Sequence, residues 1–217
     1  MSDFSAWQFV SNQRKHTQDG PCLVKLMKPI GRGLRRARAV DVGCGDGIIA
    51  SEIFRLHRAS SVLAFDILPD AVNAASINLS VQSAVGRCLV ERLSAQTFFR
   101  DKKNSEAFDL MVINPPFFEE GSGEKINNKN DRIARHDSKL SVKHWALGAG
   151  RILCTGGELY CVFPTERFVE ACTHLSKNGV EPKEVWWLKK DLRRRRFFLR
   201  AVRAGKVGIK FHIDHEI

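Results

Sequence analysis

The residues best suited to chemistry are Asn114-Pro115-Pro116-Phe117, directly after the apolar run Phe108–Ile113. The exocyclic amine of a base, or a carboxamide nitrogen, is a poor nucleophile because its lone pair is delocalised. Two hydrogen-bond acceptors that grip both N–H groups favour pyramidalisation and expose that lone pair. The Asn114 side chain offers one carbonyl and the Pro115 backbone a second, while both prolines stiffen the chain and withhold competing N–H donors. Phe117, with Phe118 beside it, supplies a flat apolar face on which a base can stack, worth about 1–3 kcal/mol. A base treated in such a pocket must first leave its stack. The chemistry to expect is positioning and charge stabilisation rather than covalent catalysis.

A second constellation lies upstream, at Asp41-Val42-Gly43-Cys44-Gly45-Asp46-Gly47. A glycine-rich turn between strand and helix lets backbone approach a ligand closely. A phosphate-binding loop would need Gly-Lys-Ser/Thr, which does not occur here. A dinucleotide fingerprint wants GxGxxG, whereas these glycines fall as GxGxG, with Asp41 two residues before the first. A carboxylate there repels a pyrophosphate but suits S-adenosylmethionine (SAM), which carries an ammonium group and no phosphate. Asp66, followed by Ile67, ends the next apolar run, where a carboxylate can accept hydrogen bonds from both ribose hydroxyls. Glu91 or Arg92, at the end of a third run, faces the adenine of the cofactor, and the residues alone leave that choice open.

These sites need a scaffold of alternating strands and helices. Ala39–Val42 reads as a buried strand, and Ile49, Ile53 and Leu56 recur at i, i+4, i+7 in the helix after the glycines. A strand over Ser61–Asp66 leads to a helix that starts near Pro69 and carries Val72, Ala75 and Leu79. Strands follow around Cys88–Val90 and over Phe108–Ile113, then a long polar segment from Glu119 to His136, the length of a functional lid. A helix from Leu140 to Leu153 is weakened by Gly148 and Gly150, about 1 kcal/mol each relative to alanine. Gly156-Gly157 then turns the chain into a strand over Glu158–Phe163, and Thr165 caps a helix that Gly179 ends. Strands near Val185–Leu188 and Phe197–Val202 close the chain, and a short helix is expected before Pro29. The pattern predicts one α/β domain with a mainly parallel sheet covered on both faces, residues 1–36 forming an extension of the domain at 37–217.

Lys and Arg number 35 against 24 acids, a net charge of +11, which favours a polyanionic partner through counterion release. Lys189, Lys190, Arg193, Arg194, Arg195, Arg196, Arg200, Arg203, Lys206 and Lys210 concentrate that charge near the end of the chain. Arg193 to Arg196, together with Arg135 and His136 beside the pocket, are the residues expected to hold phosphates of an RNA. The six cysteines include no CxxC pair and sit in or beside apolar runs, so buried free thiols are expected. His212 and His215 form one HxxH with no cysteine nearby, so no metal site is expected. A signal peptide and a membrane span are not expected either, which points to a cytoplasmic setting.

DVGCGDG, then Asp66, then NPPFF resembles the class I SAM-dependent methyltransferases that act on amino nitrogens. With the long loop, Ile133-Ala134-Arg135-His136 and Gly156-Gly157 before a strand, the chain is similar to the bacterial tRNA(Val) adenine-N(6)-methyltransferase family. That resemblance implies a Rossmann-like three-layer sandwich, its seven-stranded, mostly parallel sheet ending in an antiparallel hairpin. It also implies methylation of an adenine in a tRNA anticodon loop. Glutamine amides of proteins and the N(2) amine of guanine in ribosomal RNA are alternative acceptors. A catalytically silent RNA-binding module is the alternative of a different class.

Overall fold

The computed structural model describes residues 19–28, 37–115, 141–189 and 195–216. The apolar runs become strands β1 (Arg38–Val42), β2 (Ser61–Asp66), β3 (Cys88–Arg92), β4 (Phe108–Ile113), β5 (Leu153–Pro164), β6 (Val180–Leu188), β7 (Arg196–Arg203) and β8 (Lys210–His215). They form one sheet in the order β3-β2-β1-β4-β5-β7-β6-β8. β3 through β5 pair in parallel, β7 runs antiparallel to both β5 and β6, and β8 pairs in parallel with β6. This is the expected sandwich with one addition, because β8 makes the sheet eight-stranded.

Helices cover both faces. On one lie α1 (Asp19–Leu26), α2 (Ile48–Arg55), α3 (Pro69–Asn78) and the short α4 (Ser80–Ala84). On the other lie α5 (Ala95–Arg100), α6 (Val142–Ile152) and α7 (Phe168–Lys177). Central strands buried on both sides must be apolar throughout. Leu110 to Ile113 accordingly alternate between the two cores, Leu110 and Val112 toward α2, Met111 and Ile113 toward α6. Phe98 of α5 anchors the second core, its ring centroid 4.7 Å from Phe65 and 5.7 Å from Phe108.

Three local expectations change. Gly156-Gly157 does not precede β5 but lies within it, in a bulge that sets Phe108 opposite Leu153 yet Leu110 opposite Glu158. Thr165 does not cap α7: a short 3₁₀ turn, Thr165–Arg167, leads into that helix, and the Thr165 hydroxyl accepts from the Trp187 indole N–H at 3.3 Å. Gly148 and Gly150 are sites of close approach. A Cβ at Gly148 would lie 2.6 Å from the Phe99 ring, and one at Gly150 would run into the Asn178 carbonyl oxygen. Four cysteines are buried, while Cys154 and Cys172 are half-buried, and all six are free thiols.

Alanine gains about 1 kcal/mol over glycine in helix propensity, but overpacking costs about 1–3 kcal/mol. Gly150→Ala meets a carbonyl that cannot swing aside, so it is expected to lower the urea midpoint of unfolding. A raised midpoint would contradict this packing account.

Candidate active site

Parallel pairing of β1 with β4 sets Val42 opposite Ile113, so the glycine turn and Asn114 emerge side by side at the carboxyl edge of the sheet. This is where the strand order reverses and the chain leaves in opposite directions, the crevice in which open α/β sheets bind ligands. Gly43 and Gly45 adopt φ of 71° and 58°, and a Cβ at either would meet nothing within 4 Å. The turn is therefore left-handed and open toward the edge.

The hydrogen bonds of the turn decide what it can hold. The Gly43 and Cys44 N–H groups both donate to the Phe65 carbonyl at 2.9 Å. The Gly45 N–H donates to Asp66 Oδ2 at 3.0 Å, and the Ala50 N–H in the first turn of α2 donates to Asp41 Oδ2 at 3.1 Å. The Gly43, Cys44, Gly45 and Ala50 amides are thus already engaged. Carboxylate oxygens remain: Asp41 Oδ1 is buried with no hydrogen-bond partner among the described residues. Burial pushes the Asp41 carboxyl up to about 7; the Ala50 N–H opposes the rise, and the nearby Asp66 and Asp46 carboxylates add to it. Three carboxylates around an open turn suit a cationic ligand. Asp66 Oδ1 also accepts from the Leu68 N–H at 2.9 Å, which fixes the carboxylate beside the turn.

The remaining expected residues fall as follows. Asp46 is buried, its carbonyl accepting from Asn78 Nδ2 at 2.9 Å, and Cys44 is buried beside it. Gly47 closes the turn at φ 84°, its N–H bonded to the Cys44 carbonyl. Arg92, not Glu91, stands level with Asp66, and its Nε donates to the Ile67 carbonyl at 3.3 Å. A basic residue therefore borders this end of the crevice. Asn114 and Pro115 are half-buried at the tip of β4. Pro116, Phe117, Phe118, Arg135, His136, Arg193 and Arg194 lie outside the described residues.

The expected basic patch is reduced. Arg200 points inward, its guanidinium bonded to Glu158 and, at 3.1 Å, to Glu184. Lys189 pairs with Glu216 at 2.6 Å, and Arg203 donates to the Gly179 carbonyl. Arg196, expected to hold a phosphate, pairs with Asp19 at the start of α1. Arg195 is exposed at the same edge. Neither the Asp19–Arg196 pair nor the Glu158–Arg200–Glu184 group is legible along the chain, because their members are far apart in it. Among the described residues no cluster of His, Cys, Asp or Glu is arranged to hold a metal, and no helix is long and apolar enough to cross a membrane.

Residues 21–178 match the family described as methyltransferase small domain. The chain belongs to that family. Its cofactor is S-adenosyl-L-methionine, and the carboxylate-lined turn fits that cation. Among similar proteins is the tRNA1(Val) (adenine(37)-N6)-methyltransferase of Trichodesmium erythraeum, 34% identical over 138 residues, which cover 60% of this chain and 54% of that one. The protein of the same name from a Flavobacteriaceae bacterium is 30% identical over 125 residues, 58% of this chain and 50% of the relative. The chain thus spans about half the length of the curated relatives it matches. A SAM-dependent O-methyltransferase from Thermotoga maritima superposes with a TM-score of 0.59 at 15% identity, covering 90% of this chain and 68% of that one. The [4+2]-cyclase SpnF also superposes at 0.59, with 13% identity and coverage of 88% and 81%. One fold thus carries different reactions, and the reaction must be argued from the site.

An ammonium group needs Asp41 ionised, so cofactor affinity is expected to fall as pH drops below about 7. Asp41→Asn keeps an acceptor for the Ala50 N–H but loses the charge. Calorimetry at pH 7.5 should show SAM binding weakened by about tenfold or more, roughly 1.4 kcal/mol, with the acid limb gone. Unchanged affinity would remove Asp41 from the cofactor site.

Proposed function

We propose that this chain transfers a methyl group from SAM to the exocyclic amino nitrogen of adenine in RNA, with a tRNA anticodon loop as substrate. The observation that carries the reading is the Val42–Ile113 register, which brings Asn114 and Pro115 beside the open glycine turn. When bound, the cofactor supplies an electrophilic methyl on a sulfonium. Asn114 and the Pro115 carbonyl would accept the two N–H bonds of the amine, turning its lone pair toward the turn. Asp66 would orient the ribose, and the buried Asp41 would hold the ammonium, fixing the donor along the edge. Half-burial of Asn114 and Pro115 lowers competition from water for those N–H groups.

Adenine as the acceptor rests on the relatives, whose names specify adenine N6 in tRNA. The net charge of +11 suits a nucleic acid, with exposed Arg195 at the edge as one phosphate contact. In this reading Arg92 meets the adenine end of the cofactor, and the reaction takes place in the cytoplasm.

Labelled SAM incubated with tRNA, followed by nucleoside digestion, should place the label in N(6)-methyladenosine. Label in N(2)-methylguanosine or in protein glutamine would replace the acceptor, and RNA binding without transfer would leave only a binding module. Asn114→Ala should cut kcat by about 100-fold or more, the scale of losing one positioned polar group, with SAM affinity nearly unchanged. Loss of SAM binding in that variant would mean that Asn114 serves the cofactor instead.

A further inference from the structure

Arg196 looks like a phosphate ligand from its neighbours in sequence, but its place in the fold suggests another task. Cross-strand pairing sets it opposite Pro164, at the carboxyl edge of β5. Alternation along β7 sends Phe197 into the core under α6 and Phe198 into the core under α2, so Arg196 faces the α2 side. There it meets Asp19, the first residue of α1, whose side chain is 16% exposed against 40% for Arg196.

The rest of α1 is tied down independently. Gly20 sits so close to the first turn of α2 that a Cβ would lie 2.9 Å from Ile49 Cγ1. Beyond the helix, the Lys28 N–H donates to the Tyr160 hydroxyl at 3.0 Å, and the Lys28 ammonium pairs with Glu184. Tyr160 stands opposite Arg200, four residues from the Pro164–Arg196 pair, a rise of about 13 Å along a strand. The eight residues of α1 span about 12 Å. α1 therefore lies along the sheet between two anchors, against α2 and β5, with its N-terminus at the carboxyl edge. Asp41 and Asn114 lie on this same side, since Ala39, Leu110 and Val112 of their strands face the α2 core.

We propose that Arg196 is a positioning residue for the cofactor. Its pair with Asp19 holds the start of α1 against the first turn of α2, the turn whose Ala50 N–H fixes Asp41. The pair thereby walls the crevice between the glycine turn and Asn114. This deepens the methyltransferase reading, yet its deciding readout, SAM affinity, needs no methyl transfer, so failure of RNA methylation would leave it standing.

The test measures SAM affinity by calorimetry, and RNA affinity against salt, in Asp19→Ala, Arg196→Ala and the exchanged pair Asp19→Arg/Arg196→Asp. If the pair positions the cofactor, both single variants weaken SAM binding by a similar factor, about tenfold for a part-buried ion pair. The exchanged pair recovers much of that loss, and the salt slope for RNA stays unchanged throughout. Opposite behaviour would overturn the proposal: Arg196→Ala lowering the RNA salt slope by about one phosphate while Asp19→Ala tightens RNA. So would a fall in thermal stability in both single variants with SAM affinity intact, since that marks a purely structural pair. Arg196→Lys, which keeps the charge but not the planar fork, should bind SAM between the wild type and Arg196→Ala. SAM affinity equal to that of wild type in every variant would end the idea.

Discussion

The register of β1 against β4 is the constraint on which the rest depends. With Val42 opposite Ile113, the two strands release their chains at one level of the sheet, one into a glycine turn and the other into Asn-Pro. A side chain alternates faces at every residue, so a one-residue slip would send Asn114 to the α6 side and part it from Asp41. Burial of β4 in both cores guards against such a slip, because Leu110 to Ile113 are at most 1% exposed and each face has its own partners.

Electrostatics then separates this crevice from a phosphate site of similar shape. The Gly43, Cys44 and Gly45 N–H groups bond to Phe65 and Asp66, and the Ala50 N–H bonds to Asp41, while Asp41 Oδ1 is left without a partner among the described residues. Asp41 bears the cost. Held at zero exposure near Asp46 and Asp66, its carboxyl is pushed up to about 7, an arrangement that a cationic ligand relieves.

The net charge of the chain is not the charge of one surface. Arg200 links β7 to Glu158 of β5 and Glu184 of β6, and Glu184 also pairs with Lys28 and His212, so this cluster ties the segment after α1 and β8 to the sheet. His212 stacks on Trp186 with ring centroids 5.2 Å apart, which seats β8 on β6. Lys183 Nζ bonds the Lys206 and Gly208 carbonyls, each at 2.8 Å, holding the loop that brings the chain to β8.

The sequence by itself determined the parts whose signal is local. Apolar runs ending in Val42, Asp66 and Ile113 marked strand tips, the glycines after Val42 marked a turn, and the order of the elements implied a parallel sheet. Glu91 and Arg92 could not be separated along the chain, because only pairing with β2 shows which stands level with Asp66. No strand is expected over Lys210 to His215 from the chain alone, since an edge strand that alternates charge with apolar residues carries little periodic signal. Gly148 and Gly150 read as helix defects until Phe99 and Asn178 arrived from elsewhere in the chain to occupy the space a Cβ would fill. Arg196 reads as a phosphate ligand and Arg200 as part of a basic patch, but the carboxylates of Asp19 and Glu158 that they meet lie 177 and 42 residues away. Local composition states which charges a chain carries. Only tertiary structure, by bringing distant strands and helices together, decides which of them are neutralised and which are left to face a ligand.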